Sequence, residues 1–273
     1  MDRQLVEQVV REVILVLESR GSAPPPPGNQ REPPPHRMEP AGAWTLDQLA
    51  GRTSARIGVG RAGPRLKTPT LLKLRADHAM AKDAVLANVN SELIEGLGLF
   101  QVSTLCADKG EHLTRPDLGR RFSPETLERI RTNCIHGPQV QIYLSDGLSS
   151  RAVDDNAGDI LPALTKGLEH QGIRVGTPFF VQYGRVPAMD VISETLDSEI
   201  TCVLLGERPG LAAAGSMSAY IAYRAKVDML ESRRTVVSNI HRGGISAVEA
   251  GAYIADVIKT MLERKCSGVE LKL

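Results

Sequence analysis

The sequence predicts an α/β protein: a Rossmann-like, doubly wound parallel sheet preceded by a mainly helical N-terminal region. After residue 140, short apolar runs alternate with segments of helical periodicity, which is typical of strand-helix-strand units. Hydrophobic residues make up 42% of the 273 residues but aromatic residues only 4%, so the core is aliphatic, of the kind that packs helices onto sheets. We therefore expect one Rossmann-like domain over residues 140–273.

The first 42 residues differ in composition from the rest of the chain. Residues 1–20 place apolar side chains at helical spacing, which predicts an amphipathic helix for targeting or partner docking. Residues 21–42 hold eight of the 17 prolines, between Pro24 and Pro40, and predict a semi-rigid linker. The helix either folds back onto the body or docks onto another chain or a shell surface; the second is favoured.

Residues 43–139 are expected to be mainly helical, with one continuous helix from Thr70 to Val89. A basic stripe precedes and enters this helix: Arg52, Arg56, Arg61, Arg65, Lys67, Lys73 and Arg75. Such a stripe could bind phosphates. It contains no interleaved aromatic residues and the whole chain has a formal charge of +1, so a contact between subunits is favoured over nucleic-acid binding.

The elements predicted beyond residue 140 alternate between strands and helices. The strands are Val140–Ser145, Ile173–Gln182, Glu199–Gly206 and Thr235–Ile240, with an added edge strand at 219–224. The helices are Ala152–His170, Ala188–Leu196 and Ile245–Lys265, with Gly172 and Gly268 beyond the ends of the first and last.

Polar, glycine-bearing turns follow the predicted strands at 145–150, 183–186, 206–210 and 238–244. Ligands of parallel α/β sheets bind at the carboxyl ends of the strands, so these turns predict a rim for a large ligand rich in oxygen and nitrogen. None is GxGxxG, which disfavours a nicotinamide dinucleotide. A hydrolase built on Ser149, His241 and Glu207 is also disfavoured, since GLSSR is not a GxSxG elbow. Ordinary strand-to-helix turns remain an open interpretation.

The composition excludes several classes of protein. The four cysteines form no CxxC pair, so we expect neither disulfides nor a metal site. No apolar run approaches the roughly 20 residues of a membrane-spanning helix. Because the N-terminal apolar run is too short and too acidic for a signal peptide, we expect the protein to stay inside the cell.

Separated motifs in this chain resemble those of the small (light) subunit of ethanolamine ammonia-lyase, from about Arg56 to the C-terminus. They are GRAGPR, ADHAMAKDAV, LTRPDLGRR, SDGLSS, VGTPFFVQYGRV, LLGERPGL and SNIHRGG, in that order. The resemblance implies a lyase subunit that depends on adenosylcobalamin and acts on ethanolamine to release acetaldehyde and ammonia. It also implies that a large barrel subunit is the partner and supplies most catalytic groups, so no catalytic residue is expected in this chain.

The resemblance places cobalamin contacts at Val186, Glu207 and Val236. From the geometry of the predicted rim, we expect Ser145, Asp146, Gly147 and Ser149 near the nucleotide tail of the cofactor. DHAMAK does not match the DxHxxG motif with which some proteins replace the lower base, so the cofactor is expected to keep its own benzimidazole on cobalt.

Two other functions remain open. The N-terminal helix on its proline-rich spacer suits a non-catalytic assembly or cargo-adaptor protein of a bacterial microcompartment, held by shell proteins in the bacterial cytoplasm. That role is compatible with a lyase subunit. A stand-alone nucleotide-binding Rossmann enzyme would instead be active without a partner chain.

Overall fold

The structure, a computed structural model, describes residues 45–53, 55–211 and 213–272. The predicted helix at 1–20 and linker at 21–42 lie outside the described residues. The chain divides into two compact units, residues 1–72 and 73–273. No helix among the described residues is long and apolar enough to cross a membrane.

The described part of the first unit holds short elements. Helix α1 (Leu46–Gly51) begins at a capping box formed by Thr45 and Gln48. Strands β1 (Arg61–Ala62) and β2 (Arg65–Leu66) form an antiparallel hairpin, and its two arginines, both from the predicted basic stripe, are exposed. Helix α2 (Thr68–Leu86) begins in this unit and ends in the second, three residues before the predicted end at Val89.

The second unit is built around a six-stranded sheet. Its remaining helices are α3 (Ser91–Gly96), α4 (Lys109–Thr114), α5 (Pro124–Asn133), α6 (Ser150–His170), α7 (Ala188–Leu196) and α8 (Ala247–Arg264). Its strands are β3 (Phe100–Ser103), β4 (Val140–Ser145), β5 (Phe179–Gln182), β6 (Ile200–Gly206), β7 (Met217–Tyr223) and β8 (Thr235–Ile240). The order across the sheet is β3-β5-β4-β6-β7-β8.

The sheet is mostly parallel. The pairs β3–β5, β5–β4 and β4–β6 are parallel, whereas β7 runs antiparallel to both β6 and β8. The prediction of a wholly parallel sheet is therefore wrong at β7, which is also an interior strand and not the expected edge. The reason is the short connection over residues 207–216, which holds no helix among its described residues and so cannot make the crossover that a parallel neighbour requires.

Two further differences concern strand boundaries. Strand β3 comes from the region expected to be mainly helical, and it places residues upstream of 140 in the sheet. Residues 173–178 are not part of β5; only Val175 makes an isolated bridge, with Val140. Pro178 lacks an N–H to donate, and the Thr177 carbonyl accepts a hydrogen bond from Gln141 Nε2 at 2.8 Å, so regular pairing begins only at Phe179.

Helices cover both faces of the central strands. All six residues of β4 are buried, as expected of an interior strand with both faces covered. One core lies between the sheet and helices α6 and α8, and contains Ile142 and Leu144. The other lies between the sheet and helices α5 and α7, and contains Tyr143. At the edge strand β8 the covering is incomplete, since Val236 is 46% exposed.

Candidate functional site

The turns predicted to form a rim lie along one edge of the sheet. Strands β4, β5, β6 and β8 all run in the same direction, so their carboxyl ends share that edge. The turn after β4 is held against the turn after β6 by a hydrogen bond from the Leu148 N–H to the Gly206 carbonyl, at 3.0 Å.

Ser145 and Asp146 connect the end of β4 to the turn after β5 by hydrogen bonds. The Gly184 N–H donates to Ser145 Oγ at 3.1 Å, and the Tyr183 N–H donates to Asp146 Oδ1 at 2.7 Å. Tyr183 has a φ of 61°, a backbone conformation that residues other than glycine rarely adopt. The buried Asp146 carboxylate stabilises this turn by accepting its backbone N–H.

A buried cation completes the carboxylate's contacts. Lys109 Nζ, at the start of α4, lies 3.1 Å from Asp146 Oδ2, and both side chains are at most 10% exposed. The same ammonium lies 5.8 Å from the centre of the Tyr183 ring. Lys109 therefore compensates the charge of Asp146 and contacts the ring of the turn that Asp146 holds.

His112, from the same helix, supports the turn after β4. Its Nε2 lies 2.8 Å from the Gly147 carbonyl oxygen, and because a carbonyl only accepts, Nε2 carries the proton. Burial lowers the pKa of His112, which favours the neutral ring. Sequence reasoning missed Lys109 and His112, since they lie far upstream of the predicted domain and no local motif marks them.

Gly147 and Ser149 shape the same turn. Gly147 has a φ of 52°, and a Cβ there would lie 2.4 Å from the Gly206 carbonyl oxygen. Ser149 caps α6: its Oγ accepts from the Ala152 N–H at 3.2 Å and donates to the Ala214 carbonyl at 2.7 Å. The four residues expected near a nucleotide tail are thus all buried, and Gly147 lies at the tight turn. Their polar side-chain atoms bond within the chain.

Glu207 and Val236 lie on one face of the sheet, joined by Tyr220. The Tyr220 hydroxyl donates to Glu207 Oε1 at 2.9 Å, and Tyr220 pairs across the strands with Val236. Residues directly opposite in an antiparallel pair share a face. Burial, with the Glu207 carboxylate, raises the pKa of Tyr220 to about 12, so the hydroxyl keeps its proton. Val186, half-buried, packs against the core on this same face, as does Tyr220.

The polar residues do not form a hydrolytic constellation. Ser149 donates to Ala214 within the chain, while both ring nitrogens of His241 are engaged, by Asn239 Oδ1 and the Gly243 N–H. No group of three or more His, Cys, Asp or Glu side chains in the described residues could hold a metal ion. Cys106, Cys134 and Cys202 are buried, and burial raises the pKa of each thiol.

The fold defines an α/β protein whose polar turns meet at one edge of a mostly parallel sheet. Residues 43–272 match the family model of the ethanolamine ammonia-lyase light chain. The chain belongs to that family and is thus a subunit of a lyase, which confirms the resemblance seen in its motifs.

Several small subunits of ethanolamine ammonia-lyase are similar over most of their length. The one from Clostridium tetani is 60% identical over 226 residues, covering 83% of this chain and 76% of the relative. The one from Clostridium perfringens is 50% identical over 275 residues, covering 100% and 93%. The one from Listeria monocytogenes is 50% identical over 262 residues, covering 96% and 89%.

Proposed function

We propose that this chain forms the small-subunit side of an adenosylcobalamin site, at the interface with the large subunit of ethanolamine ammonia-lyase. In this proposal, the Rossmann-like part of the chain binds the cofactor and the large barrel subunit holds most catalytic groups. When bound, the cofactor supplies the radical chemistry by which ethanolamine is converted to acetaldehyde and ammonia.

The observation that carries the proposal is the open face formed by Glu207, Tyr220 and Val236. A corrin ring has an apolar perimeter with amide side chains, which donate hydrogen bonds. Val236 offers exposed apolar surface, and Glu207 is a half-buried carboxylate with acceptor capacity beyond its bond to Tyr220. The residues present therefore fit the group.

Each residue has a distinct role in this proposal. Glu207 accepts a hydrogen bond from a corrin amide, while Val186 and Val236 make apolar contacts. Ser145, Asp146, Gly147 and Ser149 act near the nucleotide tail through the backbone they hold, because their own polar atoms are engaged within the chain.

The direct test is Glu207→Ala in the complex of this chain with its large subunit. We expect cobalamin to bind about 10- to 150-fold more weakly, since a hydrogen bond to a charged group contributes roughly 1.5–3 kcal/mol. Equilibrium dialysis with detection of the corrin absorbance measures this. Glu263→Ala, an exposed glutamate on α8, is the matched control. Unchanged affinity in Glu207→Ala would refute its assignment.

We also propose, from the sequence alone, that residues 1–20 bind shell proteins and direct the enzyme into a bacterial microcompartment in the cytoplasm. Deleting Met1–Arg20 is expected to leave ammonia release intact and to abolish co-localisation with the shell. Loss of cofactor binding in that variant would contradict the targeting role. Turnover by this chain without its partner would favour a stand-alone enzyme instead.

A further inference from the structure

Helix α2 has two opposite faces, of which one is buried and the other is exposed. Asp77, Ala81 and Ala84 are buried, and they lie on one side of the helix because residues three, four and seven apart share a face. Leu72 and Leu86 lie on the opposite side and are 58% and 52% exposed. The helix therefore has an apolar outer face that the described residues leave half open to solvent.

The outer face is symmetric about Ala79, which is exposed. Leu72 and Leu86 lie seven residues before and after it, and Arg75 and Asp83 lie four residues before and after it. Steps of three and four residues keep all five on one side of the helix. If two such helices run antiparallel about a two-fold axis at Ala79, each Leu72 meets Leu86 of the second copy and each Arg75 meets Asp83 of the second copy.

The charges on this face are available to a partner. Arg75 and Asp83 are both exposed, and their side chains make no ion pair or hydrogen bond within the part of the chain that the structure describes. Lys82 also borders the face, but in the antiparallel pairing it falls opposite Ala76 and meets no charge at its own level. A face that carries one base and one acid at equal distances from its centre is complementary to itself.

Small residues at the centre of the face allow a close approach. Ala76 and Ala79 are both exposed, and packed helices approach to about 8–10 Å depending on the side chains between them. A single pair of helices buries less than the roughly 1,600 Å² of a standard interface. The contact is therefore suited to copies that a larger assembly already holds near each other.

We propose that α2 packs antiparallel against α2 of a second copy of this chain within the assembled lyase. The leucines at 72 and 86 form the two ends of the contact, Ala79 lies on the two-fold axis, and two reciprocal ion pairs join Arg75 to Asp83. The contact joins small subunits to each other and involves neither the rim nor the cofactor, so it stands independently of the proposed function.

The direct test is a cysteine on the two-fold axis. Ala79→Cys is made together with Cys266→Ser, because Cys266 is the only cysteine that is not buried, and is assembled with the large subunit. A mild oxidant should then join the two copies through residue 79, since the residues are within the roughly 7 Å that a disulfide spans. A non-reducing gel shows the covalent pair. Ala252→Cys, an exposed alanine on α8, is the control and should give none.

Two further variants test the antiparallel direction. In Arg75→Cys or Asp83→Cys alone, the two copies of the changed residue are eight residues apart along the helix pair. That is about 12 Å at the roughly 1.5 Å rise per residue, which is too far for a disulfide. The double variant Arg75→Cys/Asp83→Cys places each cysteine opposite the other cysteine of the second copy, so it should form the covalent pair.

The ion pairs are tested by reversing their charges, with Ala79→Cys retained as the reporter. Asp83→Arg places two arginines opposite each other and should slow formation of the covalent pair about fivefold or more. Arg75→Asp/Asp83→Arg exchanges the charges and should restore the original rate, because the pairs are reciprocal. Unfolding midpoints and ammonia release by the complex check that each variant is folded and assembled.

Each outcome decides for or against the contact. A covalent pair with Ala79→Cys and with the double cysteine variant, but not with either single variant at 75 or 83, supports it. An intact complex that gives no pair through residue 79 overturns it, as does a disulfide from residue 79 to the large subunit. Equal cross-linking by the single variants would show random collision or a parallel arrangement, and no effect of Asp83→Arg would refute the ion pairs.

Discussion

The hydroxyl of Tyr220 on β7 donates a hydrogen bond of 2.9 Å to the carboxylate of Glu207, which follows the neighbouring strand β6. Because one carboxylate oxygen is held by a half-buried ring, the group has a defined orientation toward the open face of the sheet. The orientation of the Glu207 carboxylate is therefore fixed by a residue of the sheet and does not depend on a free loop.

Tyr220→Phe removes this bond and keeps the ring. We expect cobalamin affinity to fall by about three- to tenfold, consistent with the roughly 1 kcal/mol of a typical hydrogen bond. Tyr253→Phe, on an exposed tyrosine of α8, should have no effect. In Glu207→Ala the further change Tyr220→Phe should cost nothing, since the carboxylate is already absent. Additive losses in the double variant would contradict a positioning role.

The buried pair of Asp190 on α7 and Arg234, just before β8, predicts a large loss of stability when the cation is removed. Arg234 Nη2 lies 2.9 and 2.7 Å from the two carboxylate oxygens, and both side chains are at most 5% exposed. Arg234→Met should lower the free energy of unfolding at pH 7 by about 3–5 kcal/mol, because it leaves a buried charge unpaired. Arg233→Met is the control, since its side chain is 53% exposed. Denaturant unfolding measures both.

The same pair predicts how stability depends on pH. Burial raises the pKa of Asp190 to about 6, although hydrogen bonds from Arg234 oppose this. The folded state therefore holds this proton more tightly than the unfolded state, whose pKa is near 3.8. The resulting stabilisation is complete below about pH 3.8 and disappears as the pH rises through about 6. The free energy of unfolding of the wild type, measured relative to that of Asp190→Asn, should therefore decrease as the pH rises across that window. A difference between the two proteins that stays constant with pH would contradict the prediction.

Gly147 predicts a steric requirement in the turn after β4. Gly147→Ala must accept both a positive φ and a Cβ only 2.4 Å from the Gly206 carbonyl oxygen. Gly98→Ala is a matched control, since Gly98 has a φ of 67° with nothing within 4 Å of its Cβ position. We expect a loss of about 1 kcal/mol for Gly98→Ala from backbone strain alone. Gly147→Ala should lose clearly more, and equal losses would show that the turn relaxes.

Lys109 predicts coupling between α4 and the turn after β5. Lys109→Met leaves Asp146 buried without its cation, so we expect about 3–5 kcal/mol of lost stability. Faster amide exchange should appear at Tyr183 and Gly184, whose N–H groups bond to Asp146 and Ser145. Lys166→Met, an exposed lysine on α6 for which no ion pair is among those of the described residues, should leave both measurements unchanged. Unaltered exchange in Lys109→Met would show that the turn does not depend on this contact.

The local pattern of apolar and turn residues was sufficient to predict many of the helices and strands. Helix α7 and strands β4 and β8 have the predicted boundaries, because their apolar spacing and flanking turn residues are local signals. The end of β5 was also predicted, but its start was not, since the carbonyl of Thr177 bonds to the side chain of Gln141, which is distant in sequence. Strand β3 was missed because four residues carry too little pattern to be separated from helical neighbours.

By itself, the sequence determined the alternation of strands and helices, the edge at which the polar turns meet, and, through its motifs, the family to which the chain belongs. Only the tertiary structure decided that β7 is antiparallel and interior, that Tyr220 holds Glu207, and that Lys109 and His112 support the rim. The reason is physical: periodicity arises from neighbours along the chain, whereas strand order and buried charge pairs depend on residues that are distant in sequence and meet only when the sheet has formed.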